Sequence, residues 1–78
     1  MISEELYESS KNYILLHSMP ANKRMTDVTL KKYPVNGSLI ANHLNRKGIS
    51  KISVEDCVRE CKVIITQYKR DMIEEILK

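Results

Sequence analysis

Glycine is nearly missing from the chain, with two residues in 78. So few leave no room for a glycine-rich phosphate loop, a tight-turned β-sandwich or a collagen-like repeat. Long apolar runs are missing as well. The longest, Tyr13-Ile14-Leu15-Leu16, falls far short of the ~20 residues that a membrane-spanning helix requires. The opening Met1-Ile2-Ser3-Glu4-Glu5 is acidic and carries no apolar signal segment, so the expected location is the cytoplasm. Signatures of catalysis are also lacking. There is no nucleophile elbow, no Walker loop, no His-Glu-x-x-His and no Asp-rich metal cluster. The expectation is a protein that is not an enzyme and needs no cofactor or metal.

What is present is an ordinary globular composition. Hydrophobic residues make up 42% and charged residues 29%, which separates the chain from disordered sequences. A chain of 78 residues cannot divide into two units with separate cores, so residues 1–78 form one domain.

The net charge of +3 conceals a segregation. Residues 1–20 set Glu4, Glu5 and Glu8 against Lys11. Residues 21–51 set Lys23, Arg24, Lys31, Lys32, Arg46, Lys47 and Lys51 against Asp27 alone, a balance of +6. Residues 52–78 carry a balance of −1. Binding a polyanion requires positive charge gathered on one surface, because each neutralised phosphate releases condensed counterions. The competing explanation is a set of solubilising loops, which small basic proteins often carry.

The hydrophobic pattern is helical. Val54, Cys57, Val58, Cys61, Ile64, Ile65, Tyr68, Met72, Ile73, Ile76 and Leu77 recur in steps that hold one stripe at 3.6 residues per turn. Ser53 suits the N-cap, and Glu55 and Asp56 suit the positive end of the helix dipole. A helix over 54–77 spans about 36 Å, whereas a compact domain of this size is roughly 30 Å across. The excess predicts a homodimer with Cys61, Ile65, Tyr68, Met72 and Ile76 in the interface.

A first helix starts at Ser3 and ends at Met19-Pro20, with Ile2, Leu6, Tyr13 and Leu16 on one face. The middle is less determined. Residues 26–33 suit a short helix or a strand, and Asn36-Gly37 is a turn signal. A helix over 38–47, ended by Gly48, completes an all-α domain of three or four helices with a long C-terminal helix. The alternative is an α+β fold with a central β-hairpin at 28–43, against which Pro34 counts because it has no ladder donor.

A short helix, a glycine corner at Gly48, Ile49 and a second capped helix form a helix-corner-helix, close in pattern to a helix-turn-helix. Asn42, His43, Asn45, Arg46, Lys47 and Lys51 surround that corner, and Lys31 and Lys32 precede it. These side-chain types reach phosphates and base edges. The run Ile40-Ala41-x-x-Leu44-Asn45-x-x-Gly48-Ile49 is similar to a stretch in the DNA-binding region of serine recombinases. The aromatic that follows in that family is absent, and no function is carried over. Helix 54–77 presents Glu55, Asp56 and Glu60 early, where phosphates would repel them, so contact is assigned to helix 38–47 and its flanking loops.

Cys57 and Cys61 lie one turn apart inside the apolar stripe, where a thiol behaves as a small hydrophobe. Joined with His17 and His43 they would form a zinc set, but no finger has this spacing. Two readings of function follow. One is a small dimeric nucleic-acid-binding regulator, with DNA the expected target and residues 23–51 the contact. The other is an adaptor or inhibitor that docks an acidic protein partner through its basic patch or apolar helix face.

Overall fold

The computed structural model describes residues 2–18, 34–49 and 51–78. Among them are three helices and no strand: α1, Glu4–Ser18; α2, Gly37–Arg46; and α3, Val54–Leu77. The fold is all-α. The hairpin alternative fails in its second arm, because residues 38–43 lie inside α2. Its first arm falls largely outside the described residues, as do the Thr26–Tyr33 element and the Met19-Pro20 stop.

Each helix begins at a side-chain cap. The Leu6 amide donates to Ser3 Oγ at 3.1 Å, and the Tyr7 amide to the Ser3 carbonyl at 3.0 Å. At α3 the Asp56 amide donates to Ser53 Oγ at 3.2 Å, and that hydroxyl donates to the Asp56 carboxylate at 3.0 Å. The start of α2 differs from the sequence expectation. Asn36 takes an extended backbone and its Oδ1 accepts from the Leu39 amide at 3.0 Å, so Asn36-Gly37 opens a helix rather than turning a hairpin. An asparagine serves either purpose, and here burial of Ile40 and Leu44, one turn apart, favours the helix.

The end of α2 is a two-bond reversal. The Ile49 amide reaches back to the Leu44 carbonyl at 2.9 Å, and the Gly48 amide to Asn45 at 2.9 Å. Gly48 sits at φ 78°, the left-handed conformation that this closure needs and that glycine adopts without a Cβ penalty. Ile49 then packs onto the core that Leu44 helps to form.

That core comprises Leu6, Ile40, Leu44, Cys57, Cys61 and Ile64, with Ile2, Tyr13, Ile14, Val35, Leu39, Ile49 and Ile52 packed around it. Helices α1 and α3 run antiparallel along it. Tyr7 stacks on Tyr68, with ring centroids 4.2 Å apart and planes 17° from parallel. Near the other end, Tyr13 interacts with Cys57. Between Leu6 and Tyr13 the inward positions of α1 are Ser9 and Ser10, both fully buried along with Asn12. Small side chains there bring α1 close to the small thiols of α3. Ser9 Oγ also donates to the Pro34 carbonyl at 3.4 Å, which fixes the approach to α2.

Volume, rather than polarity, governs the Ser10 position. Its hydroxyl lies in the core beside Cys61 with no hydrogen bond of good geometry. Ser10→Ala is expected to change unfolding free energy by less than about 1 kcal/mol. Ser10→Leu is expected to cost about 1–3 kcal/mol or more by forcing the two helices apart. Urea unfolding followed by circular dichroism reads both.

Candidate nucleic-acid interface

Helix α2 is amphipathic over its whole length. Ile40 and Leu44 point into the core, and Ser38, Ala41, Asn42, Asn45 and Arg46 are exposed. Those five residues follow one another around the outward side of the helix. No carboxylate lies anywhere between Gly37 and Ser53. The outward face therefore offers hydroxyl, amide and guanidinium groups with nothing to repel a phosphate.

The expected contact residues separate into three settings. Asn42, Asn45 and Arg46 share the outward face. His43 is half-buried and, with Arg46, lines a cleft of ≈ 340 Å³ floored by Ile2, Leu6 and Leu39. Burial holds the His43 pKa below its ordinary value, and the Lys47 and Arg46 charges add to the effect while Glu60 opposes it. The imidazole is accordingly biased toward the neutral form, a donor-acceptor rather than a cation.

Lys47 and Lys51 turn the other way. Lys47 Nζ reaches Glu60 on α3 at 3.2 Å, so this cation is partly neutralised within the chain. Lys51 lines a second depression, of ≈ 320 Å³, with Ile49, Ile52, Asp56, Arg59 and Glu60. Asp56 is held there by Arg59 at 2.9 Å. Two of the carboxylates that argued against α3 as the contact helix are thus engaged by Lys47 and Arg59. Among the described residues, Arg46 and Lys51 make no ion pair. Lys51 also has φ 51°, a conformation that costs a residue with a Cβ roughly 1 kcal/mol or more. Lys31 and Lys32 lie outside the described residues.

The sequence reading did not include Ser38, Ala41 or Arg59. Ser38 and Ala41 stand one turn before Asn42 and Asn45, so the 3.6-residue period would have found them. Arg59 joins Lys51 only through the fold of the corner, for which sequence spacing gives no signal.

The residues assigned to a dimer interface also divide. Cys61 is 0% exposed and already packed between α1 and α3 within the chain. Its inward direction follows from Ile64 and Cys57 on the same stripe. Tyr68 is half-buried beneath Tyr7, and Ile65 is half-buried. Met72 and Ile76 are exposed, and the exposed Ile73 and Leu77 stand beside them.

The thiols serve packing. Both cysteines are free and buried, and burial, reinforced by the neighbouring Cys57, pushes the Cys61 pKa up to about 12. Burial does the same for the Tyr13 phenol, also to about 12, with the Cys57 hydrogen bond adding to it. Neither group supplies an anionic nucleophile at neutral pH. Among the described residues no three His, Cys, Asp or Glu side chains converge as a metal site, and no helix is long and apolar enough to cross a membrane.

These two raised values fix an alkaline dependence. Each group prefers its neutral form more strongly when folded, so its contribution is complete below the ordinary values of 9.0 and 10.0 and is lost as pH climbs toward about 12. Urea unfolding is expected to show a falling free energy from about pH 9 upward. Cys61→Ala should make that fall shallower, and an unchanged slope would place the titrating groups elsewhere.

No protein-family model matches the chain, and neither a curated protein nor a solved structure is significantly similar to it.

Proposed function

We propose that the protein is a small dimeric nucleic-acid-binding regulator that docks the outward face of α2 and the adjoining corner on duplex DNA. The observation that carries this reading is the face itself. Ser38, Asn42, Asn45 and Arg46 are exposed on one side of a helix anchored by Ile40 and Leu44, in a stretch with no carboxylate. Arg46 and Lys51, unpaired among the described residues, supply the cations for phosphate. Asn42 and Asn45 supply amides of the type that pair bidentately with adenine edges. The intrachain Lys47–Glu60 and Arg59–Asp56 pairs reduce the repulsion that α3 would exert on a nearby backbone. Two copies would double the phosphate contacts, and with them the salt dependence.

The test is fluorescence anisotropy of a labelled random duplex, titrated at low and at physiological salt. Affinity is expected to fall steeply with salt, as for any binder that displaces counterions. Arg46→Glu/Lys51→Glu is expected to weaken binding at least tenfold with the helical circular-dichroism signal unchanged. Lys51→Gly removes one charge per chain, two per dimer, while relieving the left-handed strain, so stability should stay within about 1 kcal/mol and the salt slope should drop by about 2. Absence of binding at low salt would sink the proposal and turn attention to an acidic protein partner for the same face.

A further inference from the structure

The last two turns of α3 project beyond the helix that covers the rest of it. Tyr7 lies against Tyr68, and α1 begins only three residues earlier, at Glu4. From Met72 onward the antiparallel α1 has no residues left to lie alongside α3. Met72, Ile73, Ile76 and Leu77 are 46%, 56%, 75% and 79% exposed. An apolar end of this kind is unusual on a monomer and marks an interaction surface.

The charges around it say what fits. Ile65, Lys69, Met72, Ile73 and Ile76 share a face by helical spacing. Two cations, Lys69 and Arg70, precede Met72, and two anions, Glu74 and Glu75, follow it at mirrored distances. Reversing a second copy of the helix about Met72 sets Lys69 at the height of Glu75, and Arg70 at the height of Glu74. A parallel, in-register pair instead brings cations to the height of cations and anions to that of anions. Glu75 already holds Lys78 at 3.2 Å, and Asp71 accepts from Gln67 at 2.8 Å. Lys69, Arg70 and Glu74, by contrast, have no ion partner among the described residues. Arg70 and Glu74 lie one turn apart on the same side, and antiparallel packing brings like sides together. The helix dipoles also oppose in that arrangement.

We infer that this end of α3 is the self-association surface, pairing antiparallel with the same segment of a second copy about Met72, with reciprocal Arg70–Glu74 contacts at its rim. This deepens the dimer of the preceding reading and moves its centre from Cys61 to Met72. The surface buried is on the order of 1,000 Å² in total, near the lower limit for specific association, so dissociation is expected at roughly 1–100 µM.

Sedimentation equilibrium of the full chain, without nucleic acid, tests the association. A monomer–dimer equilibrium is expected in that range, weakened at least tenfold by Ile76→Asp and by Arg70→Glu, and recovered in Arg70→Glu/Glu74→Arg. These positions are exposed, so a circular-dichroism melt should show the monomer fold retained. Orientation is read by oxidative cross-linking. Met72→Cys should link to its own copy, whereas Leu77→Cys should not, since residue 77 then lies about 15 Å along the axis from its counterpart. Rapid linking of Leu77→Cys would overturn the antiparallel register. A chain that stays monomeric to about 500 µM would overturn the association itself. This rests on the dimer of the proposed function but not on its DNA contact: the duplex titration and the sedimentation run are read separately, so nucleic-acid binding and self-association can each fail without the other.

Discussion

The close approach of α1 and α3 is the constraint from which the rest of the architecture follows. Ser9 and Ser10 of α1 and Cys61 of α3 are fully buried, with the Ser10 hydroxyl beside the Cys61 thiol. Small residues on α1 leave room in that contact for Cys61 and Ile64 of α3, the latter only 1% exposed. Leu6 lies at one edge and the Tyr7–Tyr68 stack continues beyond it. Helix α2 then covers that side, burying Ile40 and Leu44 beside Leu6. The serine hydroxyls contribute little attraction of their own, because Ser10 has no well-formed partner and Ser9 only a long one.

The corner converts this packing into a surface. Closure from Ile49 back to Leu44 ties the end of α2 to the core, and Gly48 supplies the only conformation that permits it. With both ends of α2 capped and two of its side chains buried, its outward direction is fixed. The chain then places opposite charge on either side of the turn. Lys47 pairs with Glu60 and Arg59 with Asp56, so these two carboxylates in the first turns of α3 are engaged while α2 keeps Arg46 unpaired among the described residues. An interface for a polyanion benefits from that division, since free cations attract and already-paired carboxylates repel less.

The elements with strong local codes were legible from sequence alone. Ser3, Ser53 and Gly48 are caps whose chemistry is contained in a few consecutive residues, and α3 follows directly from its apolar stripe. Asn36-Gly37 reads as a turn in sequence, yet one asparagine can cap a helix or turn a hairpin, and here it caps α2. Only tertiary burial of Ile40 and Leu44 decides between them. The inward serines of α1 escaped notice since hydropathy ranks them as surface residues, although the gap in period between Leu6 and Tyr13 falls on them. At the candidate interface, spacing identified the outward amides and Arg46. It could not show that Lys47 turns to Glu60, a partner 13 residues away, because ion pairing across a corner depends on the path of the chain. The same limit explains Cys61: a stripe predicts burial but not which helix provides it.

Size makes the projecting end of α3 more than an ornament. Among the described residues, six buried apolar side chains, two of them cysteines, form the heart of this fold. Cores of that scale stabilise a domain by only a few kcal/mol once chain entropy is offset. On the dimer proposed here, the apolar residues that follow Met72 leave water only when a second copy is present, so their contribution scales with concentration. Stability, association and the presentation of two α2 faces would then be linked through one helix. Dilution would loosen the fold and halve the phosphate contacts together. A ligand that engages both copies would reverse each effect by the same linkage, because it would bind the associated, folded state in preference to any other.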